Sequence, residues 1–292
     1  NSEITFFPVV TEDGDPLGLI REKDLKKYVY SKYGKDILLN DCTGKTMKDF
    51  ITRCPATEIY KSIEKVLDIF TMDENSEGII ICENGKYLGF LTAQSLLVAL
   101  NEKNLAIARD QNPLTKLPGN NSIHEHISDT YYEKKKNYVY VYFDFDNFKP
   151  FNDKFGFRIG DRAILLFANI LREFAGNKDF FIGHIGGDDF FASIAVKKDN
   201  FEHGSKMVKR IVEKFREDIK PFFDEEDRKR GLILSTGRDG NIMEFPLLTV
   251  SAAILHLTKN RKDMSLEEVG TLIARLKKQA KNSDKKIAEM KI

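Results

Sequence analysis

The sequence DFFIGHIGGDDFFASIAV, residues 179–196, places two glycines and two aspartates between runs of aromatic and β-branched residues. Such runs on either side of a glycine-containing turn predict two antiparallel strands joined as a hairpin. The acidic residues in the turn allow two interpretations. They form either a solvated turn or a turn whose carboxylates hold a metal ion, and neighbouring segments decide between these.

A second predicted strand, NYVYVYFDFDNF (Asn137–Phe148), also ends in acids, at Asp144 and Asp146. Aspartate at a strand end beside an acidic turn is a common arrangement for Mg²⁺. This ion takes hard oxygen ligands from one or two carboxylates and leaves room for substrate phosphates. Together with FNDKFGFRIGD (residues 151–161), the pattern favours the metal-holding turn.

Helices and strands alternate through this half of the chain, which indicates an α/β or α+β class. The spacing of apolar residues predicts a further hairpin around Asp239–Gly240 and a set of amphipathic helices. The predicted helices are GDRAILLFANILREF (160–174), HGSKMVKRIVEKFREDI (203–219) and SLEEVGTLIARLKKQAKNSDKK (265–286).

The first third of the chain contains an internal repeat. GDPLGLIREKDL (Gly14–Leu25) recurs as GKYLGFLTAQSL (Gly85–Leu96), 71 positions later. A repeat of this length predicts two copies of one supersecondary unit packed together. A helix is expected to continue from the second copy and to end near Asn112, because Pro113 disfavours helix at the residue before it.

Composition excludes several classes of function. The 292 residues suggest two domains, and 41% hydrophobic residues allow sizeable cores. The net charge of +1 gives no indication of binding to nucleic acid or to a membrane surface. The three scattered cysteines form neither a disulfide framework nor a zinc motif and suit a reducing compartment. No apolar run approaches a membrane span. We therefore expect a cytoplasmic location without direct membrane contact.

The repeat resembles a pair of CBS motifs, βαββα units that bind adenine nucleotides or transmit signals. The match covers residues 1–105, and the first motif begins in its middle, so the chain is expected to be part of a longer protein. In the family, an aspartate after the glycine-containing strand binds a ribose. Asp24 matches it in the first copy, with Arg21 for the usual Thr or Ser; the second copy keeps Thr92 but has Ser95. The resemblance implies at most a degenerate adenine-nucleotide site at Asp24 and Thr92, and Asp24 as a helix cap is the favoured alternative.

The rest of the chain, from about Asn112 to Ile292, resembles a GGDEF domain, the diguanylate cyclase fold. Four motifs carry the resemblance: NPLTKLPGN, DFDNFKPFNDKFGFRIGD, GGDDF and LTVSAAIL. It implies a nucleotidyl-cyclase-like central antiparallel sheet flanked by helices. The expected division is a CBS pair at 1–105, a helical linker with the first motif at 106–120, and the GGDEF domain at 121–292.

The resemblance also implies roles for individual residues. Asp144 and Asp189 would hold Mg²⁺ or Mn²⁺, and Asp188 would help to deprotonate the attacking 3′-hydroxyl. Lys149 would be the second catalytic residue and would supply positive charge to the phosphates. The guanine-reading side chains would be Asp161, which accepts N–H groups, and Asn152, whose amide can donate to O6. The other GTP-binding positions would be the backbone at Phe145, Phe148, Gly186 and Gly187 and the phosphate-holding pair Lys281 and Lys285. For the last two, a solvated helix face is an equal alternative.

The implied reaction joins two GTP molecules into cyclic di-GMP and releases pyrophosphate, with one GTP on each of two facing domains, so a homodimer is expected. Asp189 replaces the usual Glu, Phe157 the usual His and Lys116 the usual Gly. The RxxD motif for product inhibition is absent, so inhibition through that site is not expected.

Two interpretations of function follow from this pattern. The first is a bacterial diguanylate cyclase regulated by the CBS pair. The second is a GTP-binding module without turnover that regulates an upstream EAL phosphodiesterase domain. The first is favoured because every acidic position stays acidic. A polymerase-like nucleotidyltransferase would need a template groove, and the balanced charge argues against one.

Overall fold

The computed structural model describes residues 6–34, 36, 46–73, 76–133, 136–176, 180–196, 200–236 and 241–292. The predicted turn at Asp239–Gly240, together with Cys42 and Asn177, lies outside the described residues. The chain divides into two units, Asn1–Ala106 and Ile107–Ile292.

In the N-terminal unit, the two copies of the sequence repeat form the same kind of structure, a hairpin followed by a helix. In the first copy, β1 (Phe6–Val10) pairs antiparallel with β2 (Pro16–Arg21), and α1 (Glu22–Val29) follows. The second copy consists of β3 (Ala56–Glu58), α2 (Ile63–Thr71), β4 (Gly78–Glu83), β5 (Lys86–Thr92) and α3 (Ala93–Asp110). β3 pairs parallel with β4, and β4 pairs antiparallel with β5. The hairpin and helix of the first copy therefore recur as β4, β5 and α3.

The C-terminal unit is built on a five-stranded sheet with the order β12-β11-β6-β8-β7. Its strands are β6 (Asn137–Asp146), β7 (Phe180–Gly186), β8 (Asp189–Val196), β11 (Thr249–Leu257) and β12 (Ile287–Lys291). The predicted hairpin is confirmed as β7 and β8. The sheet is mixed rather than antiparallel throughout, because β12 pairs parallel with β11. A second predicted hairpin is formed by β9 (Leu232–Thr236) and β10 (Ile242–Pro246).

Helices cover the sheet, and the three predicted helices are confirmed as α6, α7 and α9. The bounds are α4 (Asn120–Tyr132), α5 (Phe148–Phe155), α6 (Phe157–Phe174), α7 (Phe201–Asp218), α8 (Glu225–Arg230) and α9 (Leu266–Asn282). α9 ends earlier than predicted, with Ser283 as its C-cap. Lys285 therefore lies beyond the helix on which it was expected.

The central strand β6 separates two cores. Val139, Val141, Phe143 and Phe145 are buried with residues of α6 and α7. The alternate residues Tyr138 and Tyr140 are buried with residues of α4 and α9. Side chains on a strand point alternately to opposite faces, so Asp144 and Asp146 continue the face that α9 covers. The change from aromatic to acidic residues at the end of this face positions the candidate site.

Lys116 stands where the GGDEF family usually has glycine, and its backbone conformation predicts strain at this position. Its φ is +57°, the left-handed region that costs an L-residue about 1–2 kcal/mol. Glycine removes this strain but adds conformational freedom to the unfolded chain. We expect Lys116→Gly to raise the free energy of unfolding by about 0.5–1 kcal/mol in urea denaturation.

The matched control is Lys278→Gly. Lys278 is an exposed lysine inside α9, and glycine at such a position lowers stability by about 1 kcal/mol. Equal losses in the two variants would contradict strain at Lys116.

Candidate functional site

The acidic residues of the two central strands meet at one end of the sheet. Asp144 of β6 and Asp189 of β8 are directly opposite in the strand register. Cα atoms of such pairs lie about 4.5–5.5 Å apart. Asp188 occupies the turn between β7 and β8, beside Gly187. The structure thus brings together the three carboxylates that were predicted to act in metal binding and catalysis.

Two lysines of α9 contact these carboxylates. Lys277 Nζ lies 3.2 Å from Asp144 Oδ2 and 2.5 Å from Asp189 Oδ1. Lys281 Nζ lies 2.5 Å from Asp144 Oδ1. Residues four apart share one face of a helix, so both ammonium groups reach the same site. Lys281 was a predicted site residue; Lys277 was not, although its spacing from Lys281 was a usable signal.

The donor atoms fit a small divalent cation. The ammonium of Lys277 bridges Asp144 and Asp189, so a single cation has room between their oxygens. Carboxylate oxygens are the ligands that Mg²⁺ and Mn²⁺ prefer. Within the described residues, no group of three or more His, Cys, Asp or Glu side chains is arranged to hold a metal. The remaining ligands would be water or phosphate oxygens, as is usual for Mg²⁺.

Asp188 has the environment expected of a proton acceptor. Burial raises the pKa of its carboxyl above the ordinary value, and the charges of Asp144 and Asp189 raise it further. Its own backbone amide and the charge of Lys281 act in the opposite direction. A raised carboxyl pKa makes a stronger base, because general bases work best when their pKa approaches the working pH.

Asp146 was noticed in the sequence but given no role. It is 7% exposed, and its carboxylate accepts hydrogen bonds from the hydroxyls of Thr249 (2.9 Å) and Ser251 (2.8 Å) on β11. A buried carboxylate with these donors is satisfied by its neighbours. Asp146 therefore joins β6 to β11 beneath the site and is less available to a metal than Asp144.

The glycines of the hairpin leave open space at its tip. Gly186 and Gly187 have φ values of +149° and +56°, which L-residues with side chains rarely adopt. A Cβ added at either position would meet no atom within 4 Å. The conformation therefore requires glycine, and the space beside both residues is free for a ligand.

The chain after β6 turns directly into α5. Asn147 takes a left-handed conformation (φ +63°), and α5 begins at Phe148. The side chain of Phe145 is 2% exposed and stacks on Phe215 at 4.8 Å between ring centroids. The side chain of Phe145 is therefore enclosed in the core and only its backbone could meet a ligand, whereas Lys149 is exposed in the first turn of α5.

The two predicted guanine-reading residues lie on adjoining helices, Asn152 on α5 and Asp161 on α6. Among the described residues, Asn152 Oδ1 is buried and has no hydrogen-bond partner. A Cβ at Gly160 would lie only 1.8 Å from this oxygen, so any larger residue there would force the Asn152 side chain to shift. Asp161 is exposed. A buried acceptor without a donor is suited to an N–H group of a ligand.

The structure separates the predicted pair of phosphate-holding lysines. Lys281 contacts Asp144, whereas Lys285 lines a cavity of about 380 Å³ with Lys209, Arg216 and Glu289. The separation arises because α9 ends at Asn282, so Lys285 does not continue the helical face of Lys281.

Two family models match parts of the chain. Residues 109–237 match the family model described as "Diguanylate cyclase, GGDEF domain". Residues 109–237 form a GGDEF domain. Residues 1–31 match the model described as "CBS domain".

Curated relatives of the GGDEF domain carry related names. The chain is 26% identical over 109 residues to the "Probable diguanylate cyclase DgcF" of Escherichia coli strain K12. It is 26% identical over 148 residues to the "Diguanylate cyclase DgcP" of the same strain. These matches cover 37% and 49% of this chain, and 34% and 42% of the length of the two relatives.

Solved structures with a similar arrangement include GGDEF domains from two organisms. The coiled coil and GGDEF domain of DgcB from Caulobacter crescentus, in complex with c-di-GMP, matches at a TM-score of 0.48 and 17% identity, over 68% of this chain and 94% of that one. The GGDEF domain of FimX from Pseudomonas aeruginosa matches at a TM-score of 0.44 and 16% identity, over 63% and 99%.

A buried histidine ties the first GGDEF motif to the signature hairpin, and sequence reasoning missed it. His184 Nε2 lies 3.0 Å from the carbonyl of Gly187, and Nδ1 lies 2.9 Å from the Thr115 hydroxyl. A carbonyl only accepts, so Nε2 carries the proton and Nδ1 accepts from Thr115. The ring also stacks on Phe190 at 4.2 Å. The sequence signal was a histidine inside an otherwise apolar strand.

His184 makes stability depend on pH. Burial lowers the pKa of the ring below its ordinary value, although the Gly187 carbonyl and Asp189 oppose this. The unfolded ring binds a proton near pH 6.5 and the folded ring only at lower pH. Stability is therefore lost as pH falls below about 6.5, by at most about 1.4 kcal/mol per pH unit for this proton.

Urea unfolding at pH 7.5 and pH 5.5 measures this loss, which is expected to be smaller in His184→Gln than in the wild type. His124→Gln, at an exposed histidine, is expected to lose as much as the wild type. If His184→Gln and the wild type lost the same free energy of unfolding, His184 would bind its proton equally well in the folded and the unfolded protein.

The N-terminal unit uses its candidate residues for local contacts. Arg21, rather than Asp24, is the N-cap residue of α1, and the Asp24 carboxylate accepts from Arg21 Nε at 2.6 Å. The predicted cap at Asp24 is therefore wrong, because Asp24 lies in the first turn. At the equivalent positions of the second copy, the Thr92 hydroxyl accepts from the Ser95 amide at 3.1 Å.

No helix within the described parts of the chain has both the length and the apolar character needed to cross a membrane.

Proposed function

We propose that the GGDEF domain condenses two GTP molecules into cyclic di-GMP and releases pyrophosphate, with Mg²⁺ or Mn²⁺ bound by Asp144 and Asp189. The observation that supports this most is the register that sets these two aspartates opposite each other, with Asp188 in the adjoining turn. The names of the curated relatives support the same reaction.

In the proposed reaction, the 3′-oxygen of one GTP attacks the α-phosphorus of the other. A P–O bond forms, the bond to pyrophosphate breaks, and Asp188 accepts the proton of the hydroxyl. The metal, when bound, neutralises phosphate charge and acts as a Lewis acid. A second, identical step closes the ring.

The protein's own groups would bind and orient GTP. The open backbone at Gly186 and Gly187 and the amides of Phe148 and Lys149 at the start of α5 suit phosphate oxygens. Lys149 and Lys281 would add positive charge there, with Lys285 as a more distant contributor. The unpartnered Asn152 Oδ1 and the exposed Asp161 carboxylate would accept N–H groups of guanine. Each domain would hold one GTP, so catalysis requires two copies of the chain facing each other.

A second candidate function is a GTP-binding module without turnover. It is favoured by the side chain of Asp189, which is one methylene shorter than the usual Glu and is paired with Lys277. Mg²⁺ requires near-ideal octahedral geometry, so a displaced carboxylate weakens metal binding.

Chromatography of the products formed from GTP and Mg²⁺, over a range of protein concentrations, separates the two functions. Cyclic di-GMP formed at a rate that rises faster than linearly with protein would support a cyclase that acts as a dimer. Intact GTP together with saturable GTP binding in calorimetry would support the module. If the protein neither turned over nor bound GTP, both functions would be excluded.

For the N-terminal unit we propose a CBS pair at residues 1–105 that regulates the domain at 121–292 through the linker at 106–120. Its ligand would be an adenine nucleotide near Asp24 and Thr92. Calorimetry with AMP and ATP tests this. Absence of binding to either would leave the unit without a nucleotide ligand of this class.

A further inference from the structure

Lys277 is a cationic side chain in the candidate site to which the proposed reaction assigns no role. Its ammonium contacts the carboxylates of both Asp144 and Asp189, and its side chain is 27% exposed. The exposed neighbour Lys278 lies one residue further along α9. Lys277 therefore occupies the position between the two carboxylates that a divalent cation would take.

The helix that carries Lys277 is held in place. α9 begins with a capping box formed by Ser265 and Glu268. Val269, Ile273 and Leu276 of the same helix are buried in the core that also contains Tyr140. The backbone of Lys277 is therefore fixed over the end of the sheet, while its four-carbon side chain keeps the freedom to move its ammonium group.

Two cations cannot share the space between the same carboxylates. A lysine ammonium is charged at neutral pH, and at contact distance it repels a second cation. Asp144 is only 14% exposed, so solvent screens this repulsion incompletely. A metal ion that enters alone must displace Lys277 without offering the ammonium another anion. A metal that arrives with a triphosphate brings such an anion.

We propose that Lys277 is a tethered counter-ion that fills the metal position in the nucleotide-free domain and moves onto the phosphates when a divalent cation enters as its complex with a nucleoside triphosphate. Free metal then binds weakly, and metal and triphosphate bind together. The triphosphate part of this inference rests on the proposed function; the competition with metal does not.

The test is Mn²⁺ binding to the nucleotide-free full chain, measured by electron paramagnetic resonance of the free ion. Lys277→Gln is expected to bind Mn²⁺ about tenfold or more tightly than the wild type, because the competing charge is gone. Lys277→Arg keeps the charge and is expected to stay near the wild-type affinity. Lys278→Gln, the matched control on the exposed face, is expected to leave Mn²⁺ affinity unchanged.

Unchanged or weaker Mn²⁺ binding in Lys277→Gln would disprove the proposed counter-ion role of Lys277, whether or not GTP is turned over. Circular dichroism melting shows whether each variant is folded. Much tighter Mn²⁺ binding in Lys277→Arg would also overturn the proposal, because that variant keeps the competing positive charge. In calorimetry with Mg²⁺, Lys277→Gln is expected to bind GTP about tenfold more weakly and GMP equally well. Absence of GTP binding in every variant would reject the proposed function but not the competition.

Discussion

Asp188→Asn is expected to lower the rate of cyclic di-GMP formation by about 10²–10⁴-fold, the usual contribution of a positioned general base. Asparagine has nearly the same shape but cannot accept the proton of the attacking hydroxyl. GTP binding should persist, because Asp188 is not one of the carboxylates proposed to hold the metal. The measurement is product formation at saturating GTP and Mg²⁺, with GTP affinity determined separately by calorimetry.

Asp188→Asn is expected to lower activity without lowering the free energy of unfolding. Burial and the charges of Asp144 and Asp189 raise the pKa of Asp188 in the folded protein, so its ionised form is less stable there than in the unfolded chain. Replacing it with a neutral amide is expected to leave the protein at least as stable at pH 7. A loss of activity without a loss of stability would then identify a chemical role.

The matched control is Asp129→Asn, at an exposed aspartate of α4, for which an unchanged rate is expected. Product formation at the wild-type rate in Asp188→Asn would assign deprotonation to another group.

Phe145→Ala is expected to lower the free energy of unfolding by about 3–5 kcal/mol, the range for removing a fully buried aromatic side chain. The ring is 2% exposed and packs against Phe190 and Phe215 from two other elements of the C-terminal unit. Its loss leaves a cavity directly behind Asp144. Urea unfolding of the two proteins under the same conditions measures the difference.

Phe157→Ala is the matched control, because it makes the same substitution at a side chain that is 77% exposed. Its effect is expected to stay within about 0.5 kcal/mol. If Phe145→Ala lost no more than Phe157→Ala, the packing of Phe145 behind the site would be disproved.

Local sequence patterns were sufficient for much of the fold. The hairpin β7–β8 follows from strand-forming runs on both sides of Gly186 and Gly187, and α6 and α7 follow from apolar residues at helical spacing. The position of Asp144 also follows from sequence, because a strand's side chains alternate and the acids begin on one face where the aromatic residues end. Each of these features depends on residues close together in the chain.

Other features depend on contacts between distant segments. β12 was not predicted, because a short edge strand paired in parallel with β11 has no local partner to reveal it. The contact of Thr115 with His184 and that of Asp146 with Ser251 join segments far apart in sequence.

By itself, the sequence determined which residues are candidates for the site: the acids of FDFD and GGDD, and the lysines of the last helix. Only the tertiary structure decided which of the lysines meet those acids. The packing of Val269, Ile273 and Leu276 on the sheet sets the position of α9, and the end of the helix at Asn282 sets its reach. Lys277 and Lys281 therefore contact the carboxylates, while Lys285 lies elsewhere, because helix placement is determined by packing against the core and not by the spacing of charges along the chain.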